Sequence, residues 1–287
     1  MRFLIVLLAL LLPSPALAGQ VTLPYTDVFY LKSKANGIAY KLYVSYPREF
    51  PETTHAYPLI VSLDADYSFA IIRNIVEHLS DRRDTPPMVV VGIGYAGETT
   101  LQSYRENRSR DYTPVFDPDD GYGPEFQKQS GSAPQFLAFI RDELLPLMRE
   151  RYRASGRRAL VGHSYGGLFA SWTMLHQPEL FDGYIVVSPS WWYHDRWIFE
   201  HERAFAQQHK ALSATAYLAV GDSESTRMVK DFREFVAQLG ARQYSGLQLQ
   251  SEVMSNETHN SLFPRAVSNG IRMLWPRASG RAWPPRN

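Results

Sequence analysis

Six consecutive residues restrict this chain more than any others: Gly162-His163-Ser164-Tyr165-Gly166-Gly167. Residues 158–161 before them have the character of a short strand, and residues 168–172 after them that of a helix. A serine on such a strand-to-helix turn takes strained backbone angles, and small neighbours let strand and helix approach each other. The serine Oγ is then exposed at the positive end of a helix dipole. A pattern of this kind needs a sheet to hold its strand and a helix layer to cover it.

The rest of the chain supplies both. Short β-branched or apolar runs alternate with longer helical patterns, which is how a parallel α/β sheet is written. Residues 21–31 and 39–46 read as an antiparallel opening pair. Strands follow at 58–63, 88–93, 159–162, 184–187, 216–220 and 247–253, and helices at 68–79, 135–152, 168–176, 227–239 and 266–274. The count is about eight strands, mostly parallel, with helices on both faces. Pro146 predicts a kink or break in the 135–152 helix. Residues 94–130 read as one long irregular region, rich in Gly, Pro, Asp and Tyr, that forms part of a lid or substrate wall.

Composition excludes several classes. The 287 residues are 45% hydrophobic and 21% charged with a formal net charge of +1, so the chain carries no electrostatic footprint for nucleic acid or an anionic membrane. It has no cysteine, which removes disulfides, thiolate catalysis and lipid attachment through an N-terminal cysteine. Arg2, the apolar run 3–12, Pro13 and Ala16-Leu17-Ala18 read as a cleavable signal peptide over residues 1–18. The run is shorter than the about 20 residues that span a bilayer, and no later segment is long and apolar enough. The expectation is a periplasmic or secreted protein with one catalytic domain over residues 19–287. No feature fixes an oligomeric state.

A serine hydroxyl needs a general base. Where a serine elbow carries a nucleophile in an α/β sheet, the chain order is serine, acid, histidine. His259 lies in a polar turn directly after the last expected strand. His163 adjoins the serine but should point away from its Oγ. After the 216–220 strand the chain reads Gly221-Asp222-Ser223-Glu224-Ser225. Both Asp222 and Glu224 are placed to orient the histidine. Glu224 lies further into the loop and is preferred, Asp222 could instead cap the next helix, and a histidine without a carboxylate is the third option. Oxyanion donors are expected at the Tyr165 N–H and at the N–H of Ala65 or Asp66. Trp191 and Trp192, at the carboxyl edge of the sheet, suit an aromatic wall for substrate, with core packing as the alternative. There is no HExxH, no cluster of metal ligands and no phosphate loop, so no metal or cofactor is implied.

These motifs occur in a fixed order: Leu63-Asp64-Ala65-Asp66, the elbow, Phe181-Asp182-Gly183-Tyr184 running into Ser188-Pro189-Ser190-Trp191-Trp192, then Thr258-His259 followed by Phe263-Pro264. In that order they resemble the putative-esterase family of α/β-hydrolases, and its siderophore-esterase-like branch most of all. Residues 108–114, Arg-Ser-Arg-Asp-Tyr-Thr-Pro, resemble an R-x-R-D-x-T-P segment of that branch. The resemblance implies an α/β-hydrolase fold and a serine esterase acting on a small or aromatic ester, such as a siderophore lactone. It carries Ser164, His259 and Glu224 over as the catalytic set, and places Arg110 near the site, where it contacts an anionic group or pairs with Asp111. The same triad would serve an acyltransferase. A non-catalytic binding module usually lacks the nucleophile or the base, and both are present here.

Overall fold

The computed structural model describes residues 21–276. The expected signal peptide lies outside the described residues. Eight strands form one sheet: β1 (Thr26–Lys32), β2 (Ala39–Ser45), β3 (Leu59–Ser62), β4 (Val89–Tyr95), β5 (Arg158–His163), β6 (Gly183–Val187), β7 (Ala211–Gly221) and β8 (Ser245–Met254). Their order is β1-β2-β4-β3-β5-β6-β7-β8. β1 pairs antiparallel with β2 and β2 antiparallel with β4, while all later neighbours are parallel.

The central strands are buried on both faces and read as continuous apolar runs for that reason. Alternate side chains serve different cores. Leu59 and Val61 face one hydrophobic cluster and Ile60 the other. The second cluster is closed by α1 (Ala65–Asp81), through Phe69, Ile72 and Val76, and by α8 (Phe263–Leu274), through Ala266, Val267 and Ile271. The first lies under the remaining helices: α2 (Leu101–Tyr112), α3 (Ala133–Phe139), α4 (Leu145–Tyr152), α5 (Tyr165–His176), α6 (Tyr193–Gln208) and α7 (Thr226–Arg242).

Three expectations change. The region 94–130 is not wholly irregular, since α2 occupies most of its first half. Thr100 caps α2 by accepting from Ser103 N at 3.1 Å, and Ser103 Oγ accepts from Thr100 N at 2.9 Å. Its buried face carries Arg108, Ser109, Asp111 and Tyr112, so no apolar period marks it. Pro146 does not end its helix; the expected irregularity takes the form of a π-helical turn, Ile140–Leu144, that joins α3 to α4 just before the proline. Asp222 does not cap α7, because Ser225 does so by accepting from Met228 N at 3.3 Å.

Candidate active site

The elbow closes where β5 enters α5. Ser164 has φ 60° and ψ −116°, a strained conformation for any residue with a Cβ. Gly162 makes the turn possible, because a Cβ there would sit 2.0 Å from the Gly166 carbonyl oxygen. Ser164 N donates to Val187 O at 2.9 Å, and Ser164 O accepts from Leu168 N and Ser190 N, both at 3.0 Å. The backbone of the serine is therefore fixed from three directions. Its Oγ lies 3.3 Å from Ser190 Oγ.

A second helix start meets the first. Asp64 takes the left-handed conformation, φ 55° and ψ 45°, which Asp tolerates better than most residues. Ala65 can then open α1 in ordinary helical geometry. A Cβ on Gly166 would lie 3.3 Å from Leu63 and 3.5 Å from the Asp64 carboxylate. Tyr165, Ala65 and Asp66 thus stand at two adjoining helix N-termini, where backbone N–H groups lack intrahelical acceptors.

The loops after β7 and β8 bring the histidine and one of the two acids together. His259 Nδ1 lies 2.7 Å from Glu224 Oε2. Glu224 Oε1 accepts from Ser188 Oγ at 2.6 Å and from Gly221 N at 2.8 Å. Asp222 is elsewhere: its Oδ1 accepts from Asn256 N at 2.8 Å and from Ser223 Oγ at 3.0 Å, and it serves the loop backbone. Gly221 lets the two loops meet, since a Cβ there would fall 2.1 Å from Glu257 O.

Burial by itself would raise the Glu224 pKa. Hydrogen bonds from His259, Ser188 and Gly221 outweigh that and hold the carboxyl below its ordinary range. A depressed acid stabilises the fold above its unfolded pKa, and that contribution fades only as pH falls through the lower folded value.

Arg110 is not brought to the serine. Its guanidinium makes a two-pronged contact with Asp111, at 2.8 and 2.9 Å, and a third with Asn107 at 2.8 Å. Arg108, two residues earlier, is the arginine at the site. It is 1% exposed. It donates to both Asp64 oxygens at 2.8 and 3.1 Å, to His163 O at 3.0 Å, and to Tyr122 Oη. Burial works against its charge, and the Asp64 carboxylate more than offsets that, so Arg108 stays protonated. Sequence reasoning passed over it. The available signal was the i, i+4 pair Arg108 and Tyr112, whose hydroxyl accepts from Asp64 N at 3.2 Å.

The two tryptophans separate. Trp191 is 1% exposed, stacks on Phe232 with centroids 5.5 Å apart, and donates its indole N–H to Ser171 Oγ at 2.9 Å. It is core and no substrate wall. Trp192 is half-buried, 6.1 Å from the Tyr165 ring, with the Arg227 guanidinium over its other neighbourhood at 5.6 Å. Tyr122 packs on Tyr165 at 4.7 Å, and Gln127 Nε2 donates to its hydroxyl at 3.1 Å. The irregular segment after α2 is thereby laid against the residue that follows Ser164. Trp191→Ala should cost about 3–5 kcal/mol in chemical denaturation. Trp192→Ala should change stability by less than about 1 kcal/mol and change KM instead.

Among the described residues, no group of His, Asp or Glu is arranged to hold a metal ion, and no helix is long and apolar enough to cross a membrane.

The profile of the putative-esterase family matches residues 33–264. The chain belongs to that family. It is 30% identical over 268 residues to the ferri-bacillibactin esterase of Bacillus subtilis (strain 168), covering 89% of this chain and 91% of the relative. It is 32% identical over 230 residues to a siderophore enterobactin esterase of Emericella nidulans, covering 68% and 74%. Among solved structures it resembles a BES protein from Bacillus cereus, with TM-score 0.79 and 27% identity over 90% of this chain and 98% of that one. A siderophore hydrolase from Aspergillus nidulans superposes with TM-score 0.74 and 26% identity over 93% and 99%. The fold is thus that of the α/β-hydrolases, and the chain is an esterase of the siderophore-esterase-like branch.

Proposed function

We propose that this esterase hydrolyses a siderophore ester by two-step acyl transfer. The reading is carried by one observation: His259 is paired through Nδ1 with buried Glu224, across two loops that meet beside the strained Ser164. A carboxylate accepts only, so His259 Nδ1 carries its proton and Nε2 is left as the basic nitrogen. Ser164 Oγ attacks the ester carbonyl while Nε2 takes its proton. The imidazolium returns that proton to the leaving alcohol, and a water activated by the same nitrogen releases the acyl group. Glu224 stabilises the imidazolium. N–H groups of Tyr165 and of Ala65 or Asp66 receive the oxyanion.

Ser164 Oγ rests against Ser190, and no Ser164–His259 hydrogen bond is formed. Such bonds commonly tighten only with substrate bound, so a turn of the serine side chain belongs to the first step. Residues 1–18 act as an export signal under this proposal.

The test is direct. The protein is incubated with catecholate and hydroxamate siderophore esters, iron-free and iron-loaded, and the products are weighed by mass spectrometry. Hydrolysis adds one water per bond cleaved. Transfer to an added alcohol in place of water would point to an acyltransferase. Inertness towards all of these and towards p-nitrophenyl esters, with no labelling of Ser164 by a fluorophosphonate, would sink the proposal.

A further inference from the structure

His163, the residue before the serine, points away from Oγ and meets the histidine loop. Its Nε2 lies 2.7 Å from the backbone oxygen of His259, and its Nδ1 lies 3.0 Å from Tyr67 Oη. Its ring is 4.5 Å from the His259 ring and 5.5 Å edge-on from Phe263. It is 6% exposed.

We propose that His163 is a positioning residue, locked as the neutral Nε2–H tautomer, which holds the backbone of His259 at a fixed distance from Ser164. The inference rests on the ester-hydrolase reading above. A carbonyl oxygen can only accept, so the proton between His163 and His259 must belong to His163 Nε2. Nδ1 is then bare and accepts from Tyr67. The tyrosine hydroxyl has a second acceptor in Asp64 Oδ2, but at 3.5 Å it is the weaker one.

Charge supports the neutral form that this tautomer requires. Burial first, and then the nearby His259 and Arg108, push the His163 pKa down to about 3. The ring is therefore neutral near pH 7. That matters because His259 must become an imidazolium in each cycle, and a second cation stacked on it would oppose that step.

The other bonds of the histidine loop are of a different sort. Thr258, Ser261 and Glu257 bond within the loop, as in Ser261 Oγ to Glu257 Oε2 at 2.6 Å. Ser223 N donates to Glu257 O at 3.1 Å and ties the loop to the acid's loop. Glu224 orients the His259 ring. The His163 bond ties the loop backbone to the nucleophile elbow, one residue from Ser164. It sets the separation across which the proton is passed, and a misplacement of about 1 Å can cost about a hundredfold in rate.

The experiment compares His163→Phe and His163→Gln with wild type on a p-nitrophenyl ester, with active sites counted by fluorophosphonate titration. Phenylalanine keeps the ring packing and loses the donor. Glutamine keeps an amide donor at a similar reach. We expect His163→Phe to lower kcat per active site by about 10–100-fold with KM within about twofold, and His163→Gln to stay within about fivefold of wild type. Equal losses in the two variants, or a kcat within about twofold of wild type for His163→Phe, would overturn the proposal. Should His163→Phe fail to fold, nitrogen NMR of histidine-labelled wild type decides. The ring signal that vanishes in His163→Gln must report a neutral Nε2–H imidazole from pH 8 down to about pH 5. An Nδ1–H form, or protonation within that range, overturns the proposal. Wild type without any ester turnover would count against the hydrolase reading alone, since the tautomer is read without substrate.

Discussion

Replacing Ser164 by alanine is expected to lower kcat/KM on p-nitrophenyl esters by about a thousandfold or more, and His259→Ala by a similar factor. The combined variant should lose little beyond either one. A serine without its base and a base without its serine are equally idle, so the losses overlap instead of multiplying. Additive losses would mean that the two residues do not act on one proton. Glu224→Gln probes the third position. Its amide oxygen can still accept from Ser188 and Gly221 in place of Oε1, while the amide nitrogen replaces Oε2 opposite His259 Nδ1. Two donors cannot face each other, so His259 is forced into the wrong tautomer, with an expected loss of about 10²–10⁴-fold in kcat. Asp222→Asn should stay within about twofold of wild type, because Asp222 bonds only to Asn256 N and Ser223 Oγ of its own loops. The reverse ranking of these two acids would reassign the triad.

What could be read from the sequence was what local physics dictates. The elbow was legible because its glycines answer a steric demand that no other residue meets at Gly162. The buried strands were legible as continuous apolar runs. Chain order pointed to His259, which the fold sets against Glu224. The sequence left alternatives open where a partner far along the chain decides. Arg108 and Arg110 are two residues apart on one helix, hence about 200° apart around it. Which of them points to the site depends on Asp64, 44 positions away. Trp191 and Trp192 present the same problem: Phe232 and Phe235 of α7 claim the first and leave the second beside Tyr165. Helix α2 was hidden because its buried face is largely polar and is paired with groups elsewhere in the chain, Arg108 with Asp64 and Asp111 with Tyr40, and hydrophobic period says nothing about such a face.

Arg108→Met is expected to destabilise the protein by about 3–5 kcal/mol. Asp64 is 5% exposed, and its carboxylate would lose both guanidinium bonds while remaining out of water. Removing one partner of a buried pair leaves an uncompensated charge, which costs far more than the intact pair is worth against an apolar replacement. Methionine keeps most of the apolar stem, so the loss reports charge more than volume. Thermal and denaturant unfolding should both register it, the former as a melting temperature lower by about 2–4 °C for each kcal/mol. Adding Asp64→Asn to Arg108→Met should recover much of the loss, since asparagine tolerates the left-handed conformation and carries no charge. Strict additivity of the two substitutions would show that the pair is not coupled and would remove the reason given for its burial. The activity of Arg108→Met should fall as well. Arg108 ties the turn that opens α1 to the carbonyl of His163, and so fixes the proposed oxyanion donors relative to the elbow that carries the serine.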